Sequence, residues 1–163
     1  MKLYQSPKAP TPDRVVYFLR AKGQLDSVDL VDVNIMAQEH KTPEYRAISP
    51  FAKVPALVLD DGKTLTESRA ICTYFEALFP EPNLMGETPL EKAQIEMWDR
   101  QIELMFFVHL AAKEIVAAGR FSIADITDFI SCGFCRVMQW APHKEHEHLG
   151  AWYSRMKAMG FSG

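Results

Sequence analysis

Apolar positions change their spacing along the chain, and that change sorts it into segments. "KLYQ" near the start reads as a short strand. After the proline-rich "SPKAPTPD", the run "PDRVVYFLRAKG" sets Val15, Val16, Phe18 and Leu19 at helical spacing before Gly23. That predicts a helix closed by a glycine C-cap. Thr11 ahead of Pro12 predicts its N-cap, with proline at the first helical position. "VDLVDVNI" alternates again and predicts a second strand, and "KTPEYRAISP" a short helix or turn. "ALVLD", "DDG" and "KTL" predict a hairpin, and "ESRAICTYFEALF" a helix. The order is β-α-β-α-β-β-α, an α/β arrangement with a crossover unit and an added antiparallel hairpin.

The second half carries only the helical period. Pro80 and Pro82 close the preceding helix and open the linker "PEPNLMGE". Thr88, Pro89 and Glu91 then form an N-cap, a first-position proline and a capping-box glutamate. Ser122 and Asp125 make another cap pair, and "EHLGAWYSRMKAM" predicts a closing helix.

Composition narrows the classes. The chain has 163 residues, 48% apolar and 24% charged, with a net charge of -3, an ordinary globular balance. No basic stripe marks a nucleic-acid partner. No apolar run is long enough for a signal peptide or a membrane span. Three cysteines fit free thiols in a reducing, cytoplasmic compartment. Cys132 and Cys135 in "CGFC" share thioredoxin spacing, but they fall inside a predicted helix and are expected as core residues. His143, His146 and His148 lack fixed partners at metal-ligand spacing, so they read as a solvated loop and no metal is expected.

The segments "SPKAPTPDRVVYFLRAKG", "EHKTPEYRAISPFAKVPALVLDDGKTLTESRAI" and "RFSIADITD", in this order, resemble the glutathione S-transferase family, in particular its cytosolic, bacterial theta- or phi-like members. The resemblance covers nearly the whole chain. It implies a thioredoxin-like domain over residues 1–80, a linker at 81–88 and an all-helical domain over 89–163. It also implies glutathione as co-substrate, a small apolar electrophile as second substrate, and a homodimer.

The residues agree with this. Pro55 at a strand mouth is tolerated if its peptide bond is cis and the edge there is open. Val54 can then offer its N–H and C=O to an extended peptide such as glutathione. Glu67 and Ser68 fall at a helix start, where free N–H groups attract a carboxylate. The resemblance implies that Ser68 donates to the γ-glutamyl carboxylate and that Glu67 accepts from its ammonium. Capping of the helix is the simpler role for the same pair. His40 and Lys41, with Lys53, match residues that hold the glycine carboxylate; an ordinary charged loop is the alternative. Asp99 resembles an acidic residue that in some transferases reaches the partner subunit's glutathione. Met105, Phe106 and His109 on the long helix are expected, by analogy of fold, to line the electrophile pocket.

Catalysis needs the glutathione thiolate, and here the chain departs from the family. The usual tyrosine, serine and cysteine positions fall on Gln5, Ala9 and Pro10. Thr11 is the expected thiolate stabiliser and Ser6 the other hydroxyl; failing both, backbone N–H groups and the helix dipole remain. "KEIVAAG" also joins "VHLAA" to the "AGRFSIADI" motif more directly than is usual in the family. A true deletion would bare apolar faces, so a stretch missing from the record between Ala112 and Gly119 is expected instead. The reading is a glutathione transferase conjugating small electrophiles. Its rivals are a non-catalytic scaffold of the same fold and a glutathione-dependent isomerase or dehalogenase.

Overall fold

The computed structural model describes residues 1–7, 9–104, 120–134 and 147–161. The chain divides into two compact units, Met1–Pro82 and Asn83–Gly163. The first contains β1 (Lys2–Gln5), α1 (Pro10–Ala21), β2 (Asp29–Asp32), α2 (Pro43–Ile48), β3 (Ala56–Val58), β4 (Thr64–Thr66) and α3 (Ser68–Leu78).

Its sheet has the order β2-β1-β3-β4. β1 runs parallel to β2, and parallel neighbours need a crossover, which α1 supplies. β3 is antiparallel to β1, with Leu57 opposite Leu3, and antiparallel to β4, with Ala56 opposite Thr66. Gly62 turns the hairpin at φ +82°, a left-handed conformation that a Cβ would disfavour. Leu3, Val15, Phe18, Leu19, Leu57, Ile71 and Phe75 are fully enclosed between sheet and helices. Burying each such side chain stabilises the fold by about 1.5–3 kcal/mol.

The start of α1 corrects one expectation. Its N-cap is Ala9, extended at φ -86° and ψ 130°, and the helix begins at Pro10. Thr11 is the second helical residue, not the cap. Both prolines are accommodated because first-turn N–H groups have no intrahelical acceptor to lose. The other end follows the expectation. Gly23 stands at φ +65°, its N–H donates to Arg20 O at 2.9 Å, and that of Gln24 donates to Leu19 O at 2.8 Å, a Schellman closure.

One interior cation gave no signal in the sequence. Lys22 is 4% exposed. Its ammonium donates to Phe79 O at 2.7 Å and Pro82 O at 2.8 Å, and it pairs with Glu76 at 2.7 Å. It thereby supplies donors to carbonyls just beyond the C-terminal end of α3, where helical partners run out.

The second unit contains α4 (Pro89–Leu104), α5 (Ile123–Phe134) and α6 (Glu147–Ala158). Both predicted capping pairs form. Glu91 N–H donates to Thr88 Oγ1 at 3.2 Å while Thr88 N–H donates to Glu91 at 3.1 Å. Ser122 N–H donates to Asp125 at 3.0 Å. Phe129 stacks on Tyr153 with ring centroids 4.7 Å apart, and Cys132 is fully buried in α5. Among the described residues no helix is long and apolar enough to cross a membrane.

Candidate functional site

The β3–β4 register places the two halves of the expected site side by side. Ala56 faces Thr66 across the hairpin, so at that end Val54 and Pro55 lead into β3 while Glu67 and Ser68 follow β4. The Val54–Pro55 peptide bond is cis. Pro55 has no N–H to donate, and among the described residues the Val54 N–H has no hydrogen-bond partner. A main-chain donor is thus left open at the mouth of a buried strand, as strand addition requires.

Glu67 is the N-cap of α3, held at φ +69° and ψ 116°, and its side chain makes no capping bond. Ser68 is the first residue of α3 and is 5% exposed. The N–H groups of a first turn, which have no acceptor within their own helix, and the helix dipole favour an anion there.

α1 touches both halves. Thr11 Oγ1 donates to Val54 O at 3.1 Å. Three residues on, Arg14 Nη1 donates to Ser68 Oγ at 3.1 Å. Residues at this spacing lie on one helix face, so one face of α1 engages both the Val54 edge and the α3 start. The Thr11 bond also bears on the expected thiolate role. A hydroxyl has one proton, and here it goes to the Val54 carbonyl. In the first turn Pro10 and Pro12 have no N–H. Ala9 N–H donates to Ser6 O, and Asp13 N–H to Ala9 O. Among the described residues, the Thr11 N–H is the first-turn donor left without a partner. Asp13, one turn in, has its carboxyl pushed up to about 6 by burial, against the downward pull of Arg20.

The segment before the cis bond is clamped from α2. Tyr45 Oη and Ser49 Oγ both donate to Lys53 O, each at 2.9 Å, and Lys53 N–H donates back to Ser49 Oγ at 3.2 Å. Both side chains are buried. Burial, with the neighbouring Tyr4, pushes the Tyr45 phenol up to about 12, so it remains a donor at neutral pH. Sequence reasoning missed Arg14, Tyr45 and Ser49. Only Arg14 left a signal: it lies one helical turn before Phe18, on the apolar stripe of α1.

The remaining expected residues are distributed as follows. His40 and Lys41 lie in a single 3-10 turn, Glu39–Lys41, that leads into α2. His40 is half-buried, with Nδ1 enclosed and without a partner among the described residues. The Lys41 and Lys53 side chains are exposed. Ser6 is buried at the end of β1 and lines, with Pro7, Ala9, Asn34, Met36 and Glu39, a cavity of about 600 Å³. Asp99 lies within α4. It is fully buried, and its carboxylate accepts from Thr127 of α5. The bond ties α4 to α5. Met105, Phe106 and His109, with Cys135, His143 and His146, lie outside the described residues.

Comparison with known proteins bears on this geometry. The model of the glutathione S-transferase N-terminal domain matches residues 9–78. The chain is 33% identical over 199 aligned positions to glutathione S-transferase 2 of Saccharomyces cerevisiae, spanning 96% of this chain and 85% of that protein. It is 40% identical over 96 positions to a maleylacetoacetate isomerase of Pseudomonas aeruginosa, spanning 58% of this chain and 44% of that protein. The crystal structure of Gtt2 from Saccharomyces cerevisiae superimposes with a TM-score of 0.84 at 31% identity, covering 96% of each chain. The yeast alignment spans more positions than the 163 residues present here, and the sequence runs unbroken from Ala112 to Gly119. The relative therefore carries segments with no counterpart in this chain. Matched along most of the yeast transferase and sharing its fold, the chain belongs to the glutathione S-transferase family.

Proposed function

We propose that the first unit binds glutathione and that the protein conjugates the glutathione thiolate to a small electrophile. The observation that supports this most is the open Val54 N–H beside cis Pro55, set next to the start of α3 by the hairpin register. Val54 pairs with the cysteinyl main chain. Ser68 and the α3 start take the γ-glutamyl carboxylate, Glu67 takes its ammonium, and His40, Lys41 and Lys53 face the glycine carboxylate.

The thiolate is served by the Thr11 N–H at the start of α1, and the Thr11 hydroxyl holds Val54. One bond to a charged group contributes about 1.5–3 kcal/mol, which lowers a thiol by roughly one to two pK units. That is enough to ionise a substantial fraction near neutral pH without a dedicated side chain. The rate gain then comes mainly from placing the sulfur beside its partner. The electrophile is assigned to the stretch holding Met105, Phe106 and His109, and the working form is a cytosolic homodimer.

Isomerisation is the second reading, favoured by the similarity to the Pseudomonas protein. It needs the same thiolate, added to and then expelled from a cis double bond. The deciding experiment measures glutathione affinity by calorimetry, turnover with an activated aryl halide, and turnover with a cis-enedione. Conjugation supports the transferase and isomerisation the second reading. Tight binding with neither activity points to a scaffold. No binding at millimolar glutathione overturns the site.

A further inference from the structure

We propose that Arg14 is the positioning residue that commits Ser68 to donating toward an incoming α-carboxylate, so that the site selects thiol peptides carrying a free carboxylate on a γ-linked N-terminal residue. This rests on the glutathione reading and goes beyond it by naming the group that decides which peptide is accepted.

Arg14 is 5% exposed within α1, and its Nη1 lies 3.1 Å from Ser68 Oγ. A guanidinium has donors only and stays protonated. In that contact the serine oxygen must accept, and its own hydrogen must point elsewhere. Position closes the usual outlet. Thr73, within α3, returns its hydroxyl to Arg69 O at 3.0 Å, the common local bond of helical serine and threonine. Ser68 is the first residue of α3, so no helical carbonyl stands four residues behind it. Among the described residues its hydrogen has no acceptor.

The hydroxyl is thereby fixed as a donor at the start of α3. The Arg14 charge adds to the helix dipole, and being buried it is screened less by salt than a surface lysine.

The test compares two ligands on the wild type, Arg14→Met, Arg14→Lys and Ser68→Ala. One ligand is glutathione. The other is the analogue with 4-aminobutyrate replacing the γ-glutamyl residue, which lacks only the α-carboxylate. Thermal melting verifies that each variant is folded; Ser68→Ala leaves the guanidinium in place if Arg14→Met fails to fold. Expected for Arg14→Met is a loss of glutathione affinity of roughly ten- to a hundred-fold, the range for a charged hydrogen bond, with little change for the analogue. KM for glutathione should rise while kcat holds, and Arg14→Lys should restore part of the loss. Ser68→Ala should show the same ligand dependence. Equal losses for both ligands, a fall in kcat alone, or unchanged affinity would overturn the role of Arg14. Wild-type protein that binds the two ligands equally overturns the selectivity while leaving the glutathione site standing. Wild-type protein that binds neither overturns the glutathione site itself, and this role with it.

Discussion

The hydroxyl of Thr11 donates to the carbonyl of Val54 at 3.1 Å, tying the start of α1 to the segment just before a cis proline. This contact is the basis for proposing that the Thr11 hydroxyl holds the Val54 edge while the Thr11 N–H serves the thiolate. The two roles separate experimentally. Thr11→Val keeps the shape and the main-chain N–H but loses the hydroxyl. It should raise KM for glutathione several-fold, as expected for about 0.5–1.5 kcal/mol of hydrogen bonding, and leave the bound thiol's pKa unchanged. Ultraviolet titration of the bound thiolate measures the second quantity. An upward shift there would return the hydroxyl to the sulfur.

Tyr45 and Ser49 share one acceptor, Lys53 O, so their deletions should not add. Tyr45→Phe or Ser49→Ala leaves the other donor in place and should cost about 0.5–1.5 kcal/mol. The double variant strands a partly buried carbonyl and should cost about 1–3 kcal/mol more than the sum of the two. Urea unfolding of the four proteins closes the cycle, and simple additivity would refute the shared clamp.

Lys22 joins Glu76, Phe79 O and Pro82 O in the interior of the first unit. Lys22→Met should destabilise the protein by about 3–5 kcal/mol, because breaking a buried pair leaves its partners uncompensated. Chemical denaturation measures the loss; a change below about 1 kcal/mol, the value of a surface pair, would show the cation to be dispensable.

Asp13 should make stability fall as pH rises. Its folded carboxyl titrates at about 6 against an ordinary 3.8. Between these values the folded state binds more protons than the unfolded, so the slope of stability with pH is negative there. Below about pH 4 both states are protonated and the penalty vanishes; above about pH 6 it is complete. Asp13→Asn should therefore gain about 1–3 kcal/mol over wild type at neutral pH and nothing near pH 4. Parallel melting curves across that range test it, and a constant offset would contradict it.

What the sequence determined by itself was local. Strand and helix order, the Gly23 closure, the capping boxes at Thr88 and Ser122, and the string from Lys53 to Ala70 all rest on interactions within a few residues, which periodicity and turn chemistry encode directly. The helix start at Pro10 was misread because two prolines compete for positions that tolerate both. Tertiary structure decided which group each polar atom meets. Thr11 finds Val54, 43 residues away, and Arg14 finds Ser68, 54 residues away. Asp99 turns inward to Thr127, 28 residues on. Hydrogen-bond partners separated in sequence are selected by which elements pack together, and packing depends on the whole apolar pattern at once, so no short stretch can announce them.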